Sequence, residues 1–254
     1  MIKIILVGCN GYMGRVVTAL VADDPSVSIV AGIDLDTKQL DEYPVFAKPG
    51  DIDGEAEVGA SVVVDFSGPS ALAGLLEFGV SNKIPLILCA TGYSPEQISD
   101  IEKSSEQIPV FRSGNMSLGI NLLADLIRRA RTVLGDDFDI EIVERHHRRK
   151  VDAPSGTAIM LADAAASVLP YEPEFVFERE SKRVARSKQE IGISAVRGGT
   201  IVGVHDVIFA GQDEVIELRH TAASRDVFAV GALKAARFIA DKPPGLYSMK
   251  DVLG

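Results

Sequence analysis

The sequence predicts an α/β fold for the first half of the chain, followed by a smaller α+β part. In the first half, short apolar runs alternate with stretches of helical periodicity, which is typical of βα units around a parallel sheet. After Gly135 the pattern changes, because residues 138–142 alternate strictly between apolar and acidic side chains. Such alternation predicts a strand with one buried and one exposed face. At 254 residues the chain is long enough for two such parts.

The elements of the first half follow from these periodicities. Ser94 is a natural N-cap and Pro95 suits the first position of the helix that follows. A longer helical pattern ends at Gly135. The predicted strands cover residues 3–7, 28–33, 61–66, 85–89 and 109–112, and the predicted helices include residues 12–22, 95–104 and 120–134.

The second half combines strands with helices. The runs 190–196 and 202–209 are predicted to be antiparallel strands, and 215–220 a third. Helices are predicted at residues 155–169 and 227–240, and the charge-dense stretch 179–188 as a mobile surface loop. The expected domains are residues 1–117 plus 219–254, with the last helix packing back on the first domain, and residues 118–218.

Composition limits the classes of function. The formal net charge of −10 argues against a general affinity for nucleic acid or an anionic membrane. Two cysteines form no disulfide framework, which indicates a reducing compartment. The apolar N-terminus reaches Gly8 after seven residues, too few for a signal peptide or a membrane span. We therefore expect a cytoplasmic protein.

A glycine-rich turn follows the first predicted strand. Glycines at positions 8, 11 and 14 permit a tight turn, close approach of a pyrophosphate and close packing of the next helix. Asp34, twenty residues beyond Gly14, ends the second strand, where an acid accepts hydrogen bonds from the adenosine ribose. A glycine turn without a ligand is the alternative, and Asp34 argues against it. The turn reads Gly8-Cys9-Asn10-Gly11-Tyr12-Met13-Gly14.

These features predict a Rossmann-type dinucleotide-binding domain. A carboxylate at position 34 repels a 2′-phosphate, and no arginine follows it, so NADH is the predicted cofactor. Lys38 leaves NADPH open as a second one. Other strand ends are expected at the same crevice, although they can also be plain βα turns. They are Asp65-Phe66-Ser67, Cys89-Ala90-Thr91-Gly92 and Ser113-Gly114-Asn115-Met116.

A basic run is the most informative segment. Six consecutive residues, from Arg145 to Lys150, can carry positive charge in an acidic protein. Ser155 then caps a helix, so the N–H groups of Gly156 and Thr157 are expected beside the cations and predict a carboxylate or phosphate site. A solvated face or a nucleic-acid patch would not need that helix start. No metal is predicted, because no further ligand has suitable spacing and the cations oppose a divalent ion.

The run from Glu144 to Ala158 resembles a family signature, E-x-H-H-x-x-K-x-D-A-P-S-G-T-A, of the 4-hydroxy-tetrahydrodipicolinate reductases, also called dihydrodipicolinate reductases. The resemblance covers essentially the whole chain, and this signature is far more specific than the glycine loop. Further matching segments are residues 8–14, 65–67, 115–121, 197–203 and 220–225.

The resemblance implies NAD(P)H-dependent reduction of 4-hydroxy-tetrahydrodipicolinate to tetrahydrodipicolinate in diaminopimelate and lysine biosynthesis. It implies that His146 is a proton donor or acceptor and Lys150 the proton donor. It implies that His147, Gly156 and Thr157 hold the substrate carboxylates. The implied cofactor contacts are Gly8, Cys9, Asn10, Gly11, Tyr12, Met13, Asp34, Cys89, Ala90, Thr91, Ser113, Gly114, Asn115 and Met116.

Two positions depart from the common family pattern. Many relatives have G-T-T-G where this chain has Cys89-Ala90-Thr91-Gly92, which puts the contacts of Cys89 and Ala90 in doubt. Arg149 replaces a frequent histidine. The family also implies a homotetramer formed through the second domain, which is therefore expected to serve substrate binding and oligomerisation.

Two other functions fit parts of the sequence. A diaminopimelate or aspartate dehydrogenase would share the glycine loop, and a non-catalytic NAD(H) sensor would bind the cofactor without turnover. Neither needs two adjacent histidines and a lysine beside a helix start. The sequence therefore favours the reductase.

Overall fold

The computed structural model describes residues 1–52 and 60–254, which divide into two compact units. The first unit comprises Met1–Leu118 and Asp226–Gly254, and the second comprises Gly119–Arg225. Each unit has its own sheet and its own apolar core.

A parallel sheet forms the centre of the first unit. Seven strands of the described ranges belong to it, in the order β12-β6-β5-β4-β1-β2-β3, and all neighbouring pairs are parallel. Parallel strands place their carboxyl ends at one edge of a sheet, so the turns that follow them lie together there. The strands are β1 (Ile2–Val7), β2 (Val27–Ile33), β3 (Val45–Phe46), β4 (Val62–Asp65), β5 (Leu86–Leu88), β6 (Pro109–Arg112) and β12 (Gly245–Tyr247).

Helices cover both faces of this sheet. Successive residues of β1 alternate between two apolar clusters, with Ile4 and Leu6 in one and Ile5 and Val7 in the other. The first cluster includes residues of α1 and α6, and the second includes residues of α2 and α3. Burial on both faces explains the near-continuous apolar strands. The helices are α1 (Tyr12–Ala22), α2 (Leu72–Asn82), α3 (Pro95–Ser105), α6 (Asp226–Ile239) and the short α7 (Met249–Leu253).

A mixed sheet forms the centre of the second unit, in the order β11-β10-β7-β9-β8. One core cluster joins residues of β7, β9 and β10 with residues of α4 and α5. The strands are β7 (Asp139–His146), β8 (Glu174–Val176), β9 (Glu190–Arg197), β10 (Gly203–Ala210) and β11 (Val215–Ala222), and the helices are α4 (Leu118–Leu134) and α5 (Gly156–Ala166). The parallel-sheet unit and this mixed unit confirm the predicted fold class.

One predicted strand orientation is wrong. Strand β9 was expected to be antiparallel, but it pairs in parallel with β7 and with β8. Helix α5 lies between β7 and β9 in the chain, and such a helical crossover returns the chain in the same direction. Strand β10, by contrast, is antiparallel to both β7 and β11, as expected.

The boundary between the units also differs from the expected one. The second unit extends to Arg225 rather than to residue 218, because β11 continues to Ala222 and pairs with β10 along its whole length. The charged stretch 179–188 contains no helix or strand. Two of its arginines nevertheless pair with acidic residues of the sheet, Arg179 with Glu141 and Glu190, and Arg186 with Asp139.

Two features are absent from the part of the chain that the structure describes. None of their helices is long and apolar enough to cross a membrane. No group of three or more His, Cys, Asp or Glu residues in the same ranges could hold a metal ion.

Candidate cofactor loop and candidate active site

The glycine loop connects β1 to α1 through three tightly packed glycines. Gly8 has a φ of +75°, a conformation that favours glycine. A Cβ on Gly14 would lie 2.2 Å from the carbonyl oxygen of Gly8 and 2.4 Å from that of Cys9. Gly11 is the N-cap of α1 and has no side chain to cap it. The helix start is therefore pressed against the end of the strand, as a dinucleotide loop requires.

Asp34 is bound directly to this loop. Its Oδ2 accepts a hydrogen bond of 3.0 Å from the backbone N–H of Asn10, and its Oδ1 accepts one of 3.2 Å from Asp36. The Asn10 side chain in turn donates to the carbonyl oxygens of Asp36 and Lys38. The sequence-predicted pair of glycine loop and acid is thus brought together by direct contacts.

These residues fit an adenine dinucleotide. The clashes that a Cβ on Gly14 would cause are with backbone atoms, so the close packing of α1 on the end of β1 depends on glycine. The uncapped N-terminus of α1 offers amide dipoles of the sign that a pyrophosphate needs. Tyr12 and Met13 form the first turn of that helix, and the ring of Tyr12 is exposed.

The other predicted cofactor residues follow neighbouring strands of the same sheet. Cys89, Ala90 and Thr91 come directly after β5, and Ser113–Met116 come directly after β6. The latter turn is ordered by its own side chains, since Ser113 Oγ donates to the Asn115 carbonyl at 2.7 Å. Asn115 Oδ1 accepts from the Ser117 N–H at 2.8 Å. Both turns therefore lie at the sheet edge that carries the glycine loop.

A buried carboxyl group also lies at this edge. Asp65 is fully buried at the end of β4, and its Oδ1 accepts from the N–H and the hydroxyl of Ser67. Its Oδ2 has no hydrogen-bond partner among the described residues. Burial raises the pKa of Asp65 above its usual range, and burial followed by the nearby Asp65 raises the pKa of Tyr93 as well.

The candidate active site of the second unit is built on the end of β7. Alternation along this strand places Glu144 and His146 on the buried face. The Nδ1 atom of His146 lies 2.6 Å from Glu144 Oε2. Glu144 also accepts from the Ser155 N–H at 2.9 Å and from the guanidinium of Arg197 at 2.6 and 2.7 Å.

The remaining predicted residues lie in the turn after β7 and at the start of α5. His147 and Lys150 belong to the turn, and Lys150 Nζ is 2.9 Å from Asp152 Oδ2. Gly156 and Thr157 are the first two residues of α5. Burial, followed by nearby cations of which Arg149 is the first, lowers the pKa of His147. Lys150 thus pairs with Asp152 rather than with another predicted site residue.

Ser155 connects the helix start to a second buried histidine. Its Oγ accepts from the Ala158 N–H at 3.1 Å, as an N-cap does, and lies 3.0 Å from His205 Nε2. The His205 ring packs edge-on against His146, with 5.2 Å between ring centroids. Burial, reinforced by His146, lowers the pKa of His205 to about 4.

The buried His205 predicts acid sensitivity of the fold. Because the folded-state pKa lies below the usual 6.5, the unfolded chain takes up this proton first as the pH falls. The stability that a neutral His205 contributes is therefore complete above pH 6.5 and is lost towards pH 4, by about 3 kcal/mol in all. We expect His205→Gln to make the free energy of unfolding less dependent on pH in this interval. Denaturant titrations at a series of pH values measure it, and an unchanged slope would contradict the assignment.

The basic run does not act as one surface. Arg145 points to the other face of β7 and pairs with Asp206 Oδ2 at 2.5 Å. Asp206 also pairs with Arg219. Arg148 and Arg149 are exposed. Of the six residues in the run that can carry positive charge, Arg145, Arg148 and Arg149 therefore do not contribute to the buried site.

Three residues of this site were given no role by sequence reasoning. Glu144 belongs to the signature run, and its spacing of two from His146 could have indicated a shared face if the alternation of residues 138–142 had been extended to residue 146. Arg197 and His205 reach the site from β9 and β10. They lie 53 residues from Glu144 and 50 residues from Ser155 in the chain, so no local pattern could pair them with these residues, although Arg197 begins the family-matching segment 197–203.

The first unit has a glycine loop with a bound acid on a parallel sheet, and the second unit buries paired titratable groups. Together these features define the class of dinucleotide-dependent oxidoreductases. Comparisons with known proteins narrow the class. The family model for the dihydrodipicolinate reductase N-terminus matches residues 2–116, and that for the C-terminus matches residues 119–253. The chain belongs to the dihydrodipicolinate reductase family, as the sequence predicted.

Individual relatives agree with this assignment. The chain is 51% identical over 253 residues to a 4-hydroxy-tetrahydrodipicolinate reductase of Caldanaerobacter subterraneus subsp. tengcongensis, covering 100% of this chain and 98% of that protein. It is 52% identical over 255 residues to one of Clostridium perfringens, with the same coverage. The chain is therefore an oxidoreductase of the diaminopimelate and lysine pathway, in agreement with the predicted function.

Solved structures support the fold. A dihydrodipicolinate reductase from Paenisporosarcina sp. TG-14, solved with dipicolinate bound, superposes with a TM-score of 0.82 at 23% identity and covers 99% of this chain and 98% of that one. A diaminopimelate dehydrogenase from C. glutamicum gives a TM-score of 0.58 at 15% identity, covering 100% of this chain and 95% of that one. The dehydrogenase named as an alternative thus has a related architecture, but the family models and the relatives favour the reductase.

Proposed function

We propose that the chain reduces 4-hydroxy-tetrahydrodipicolinate to tetrahydrodipicolinate, and that His146 and Lys150 take part in the proton transfer. The buried Glu144–His146 pair, joined to the start of α5 through Ser155, is the observation that carries this proposal. A titratable ring held at a helix N-terminus can exchange a proton while the helix start binds an anion.

Substrate binding is assigned to the residues around that helix start. Gly156 occupies the first position of α5, where helix geometry provides no intrahelical acceptor for its N–H. Thr157 follows it, and His147 and Lys150 lie in the turn before it. Amide donors and cations of this kind suit the two carboxylates of a small dicarboxylate substrate.

Proton transfer is assigned to His146 Nε2 and Lys150 Nζ. The glycine loop and the turns after β5 and β6 would hold a nicotinamide dinucleotide, which would supply the hydride. Nδ1 of His146 lies against the Glu144 carboxylate, which leaves Nε2 as the ring atom that can exchange a proton with a substrate. The ammonium of Lys150 can deliver a proton and neutralise negative charge on the substrate.

Cofactor preference is assigned to Asp34, and we expect a higher kcat/KM with NADH than with NADPH. The carboxylate is fixed by two backbone N–H groups, so it cannot easily move away from a 2′-phosphate. Asp34→Asn should reduce the preference by at least about tenfold, because two like charges in contact near a protein surface repel by about 1–4 kcal/mol. Parallel steady-state kinetics with the two cofactors test this. Equal or better kcat/KM with NADPH in the unaltered chain would contradict it, and Asp36→Asn is a neighbouring control.

The activity itself has a direct test. Freshly made product of dihydrodipicolinate synthase is supplied, and oxidation of NADH and NADPH is followed in parallel. Oxidation of amino dicarboxylates in the reverse direction tests for the dehydrogenase, and NADH binding without turnover would indicate a sensor. The proposal requires turnover with the synthase product and none with the amino dicarboxylates.

We infer further that the chain works as a homotetramer in the cytoplasm. Among the described residues β11 pairs with β10 only, so this edge of the mixed sheet is open to pairing with a strand of another subunit. Both cysteines are free thiols, which fits a reducing compartment. Light scattering of the purified chain should give the mass of four chains.

A further inference from the structure

The carboxylate of Glu144 is saturated by four hydrogen bonds. Oε1 accepts from the Ser155 N–H at 2.9 Å and from Arg197 NH2 at 2.6 Å. Oε2 accepts from His146 Nδ1 at 2.6 Å and from Arg197 NH1 at 2.7 Å. The side chain is fully buried, so no water competes for these positions. Each of the two oxygens is therefore bound by one arm of the guanidinium and by one further donor.

These four hydrogen bonds determine which ring nitrogen of His146 carries a hydrogen. Burial alone would raise the pKa of Glu144, but the hydrogen bonds from Arg197, His146 and Ser155 outweigh it, and the pKa lies below its usual value. An ionised carboxylate only accepts hydrogen bonds, so Nδ1 of His146 must carry a hydrogen. Nε2 then faces Gly203, where an added Cβ would lie 3.1 Å away.

Arg197 extends the same cluster to the Lys150 turn. Its NH2 group donates to the carbonyl oxygen of Asp152 at 2.6 Å, in addition to its bond with Glu144. The side chain of Asp152 is the ion-pair partner of Lys150. One buried ion pair thus binds three segments that carry predicted site residues: the end of β7, the Lys150 turn and the start of α5.

We propose that Glu144 and Arg197 are positioning residues, which hold the His146 ring in its Nδ1–H form and in register with Lys150 and the helix start. This inference rests on the proposed function, because it assumes that His146 exchanges a proton through Nε2. A glutamine at position 144 would present an NH₂ group to two of the four donors, so the arrangement could not be kept. His146 would then be free to turn or to change tautomer.

A merely structural ion pair is the alternative, and the same sheet offers a matched control. Glu190 on β9 is also buried, pairs with Arg179 at 2.7 Å and accepts from the Ser187 N–H at 3.1 Å. Glu190→Gln therefore removes the same charge from a similar environment without touching His146. Loss of stability alone should affect both variants similarly.

The experiment combines kinetics with ¹⁵N NMR of the imidazoles in full-length, histidine-labelled protein, with His146→Gln used to identify the His146 signals among those of the four histidines. We expect Glu144→Gln to lower kcat by about 100-fold, the lower range for loss of an acid–base group, with KM changed by less than about threefold. The Nδ1–H signature of His146 should be lost. Glu190→Gln should keep both the kcat and the signature.

Arg197→Lys serves as a second variant if Glu144→Gln does not fold. It keeps the charge of the pair but not the double hydrogen bond or the bond to Asp152, so we expect kcat to fall about tenfold while the Nδ1–H signature stays. An unchanged signature in Glu144→Gln, or an equal loss of kcat in Glu190→Gln, would overturn the inference. A changed signature with unaltered turnover would instead overturn the proton role proposed for His146.

Discussion

Replacement of His146 and Lys150 together by alanine is expected to lower kcat by about 10⁴-fold. The two side chains are the titratable groups assigned to proton transfer, and general acid–base catalysis typically contributes 10²–10⁴-fold. Their loss leaves the helix start at Gly156 intact, so KM should change much less than kcat. Stopped-flow or steady-state oxidation of NADH with fresh synthase product measures the effect.

Matched variants separate chemistry from charge and from binding. Lys150→Ala should lower kcat by about 100-fold, whereas Arg149→Ala removes the same charge from an exposed neighbour and should leave kcat nearly unchanged. Thr157→Val should mainly raise KM. Near-normal turnover in the double variant would refute the assignment of both residues.

Gly14→Ala is expected to abolish tight cofactor binding, with an increase of at least about 100-fold in the Kd for NADH. The added methyl group would meet two backbone carbonyl oxygens, at 2.2 and 2.4 Å, and neither can turn aside as a side chain would. Helix α1 must therefore move away from β1, which changes the position of its N-terminus. Overpacking of this kind also costs about 1–3 kcal/mol of stability. Calorimetric titration with NADH and thermal unfolding measure the two effects.

Two other glycines provide a graded control for this variant. A Cβ on Gly11 would lie 3.2 Å from the Gly8 carbonyl oxygen, so Gly11→Ala should have an intermediate effect. A Cβ on Gly68 would meet no atom of the described residues within 4 Å, and its backbone is extended. Gly68→Ala should bind NADH normally. Equal affinities in the Gly14 and Gly68 variants would show that the loop packing does not matter.

Much of the fold was predictable because its helices and strands follow from local sequence patterns. Helix α1 and strand β6 have the predicted bounds, since a glycine turn and a proline mark their beginnings. Helix α2 was not predicted, because it contains two glycines, which weaken a helical pattern. Gly79 allows close packing there, as a Cβ would lie 2.9 Å from the Leu86 side chain and would force that side chain to shift.

Long-range pairing was less accessible to sequence reasoning. The direction of β9 depends on which strand it meets, and the alternation of residues within it is the same for either direction. The short strands β8 and β12 have three residues each, too few for a period to be recognised. Contacts between distant segments leave no local pattern. The individual residues of the candidate site could therefore be predicted, but the contacts of Glu144 with Arg197 became visible only in the structure.

The alternation along β7 links the register of the sheet to the chemistry proposed for it. A slip of one residue would exchange the faces of the strand, turning Glu144 and His146 outward and Arg145 inward. Arg145 would then lose Asp206 and meet the guanidinium of Arg197 in a buried space, which two like charges cannot share without a large penalty. Ionic contacts on both faces therefore disfavour the shifted pairing, so the register that folds the strand is also the register that the proposed proton transfer needs.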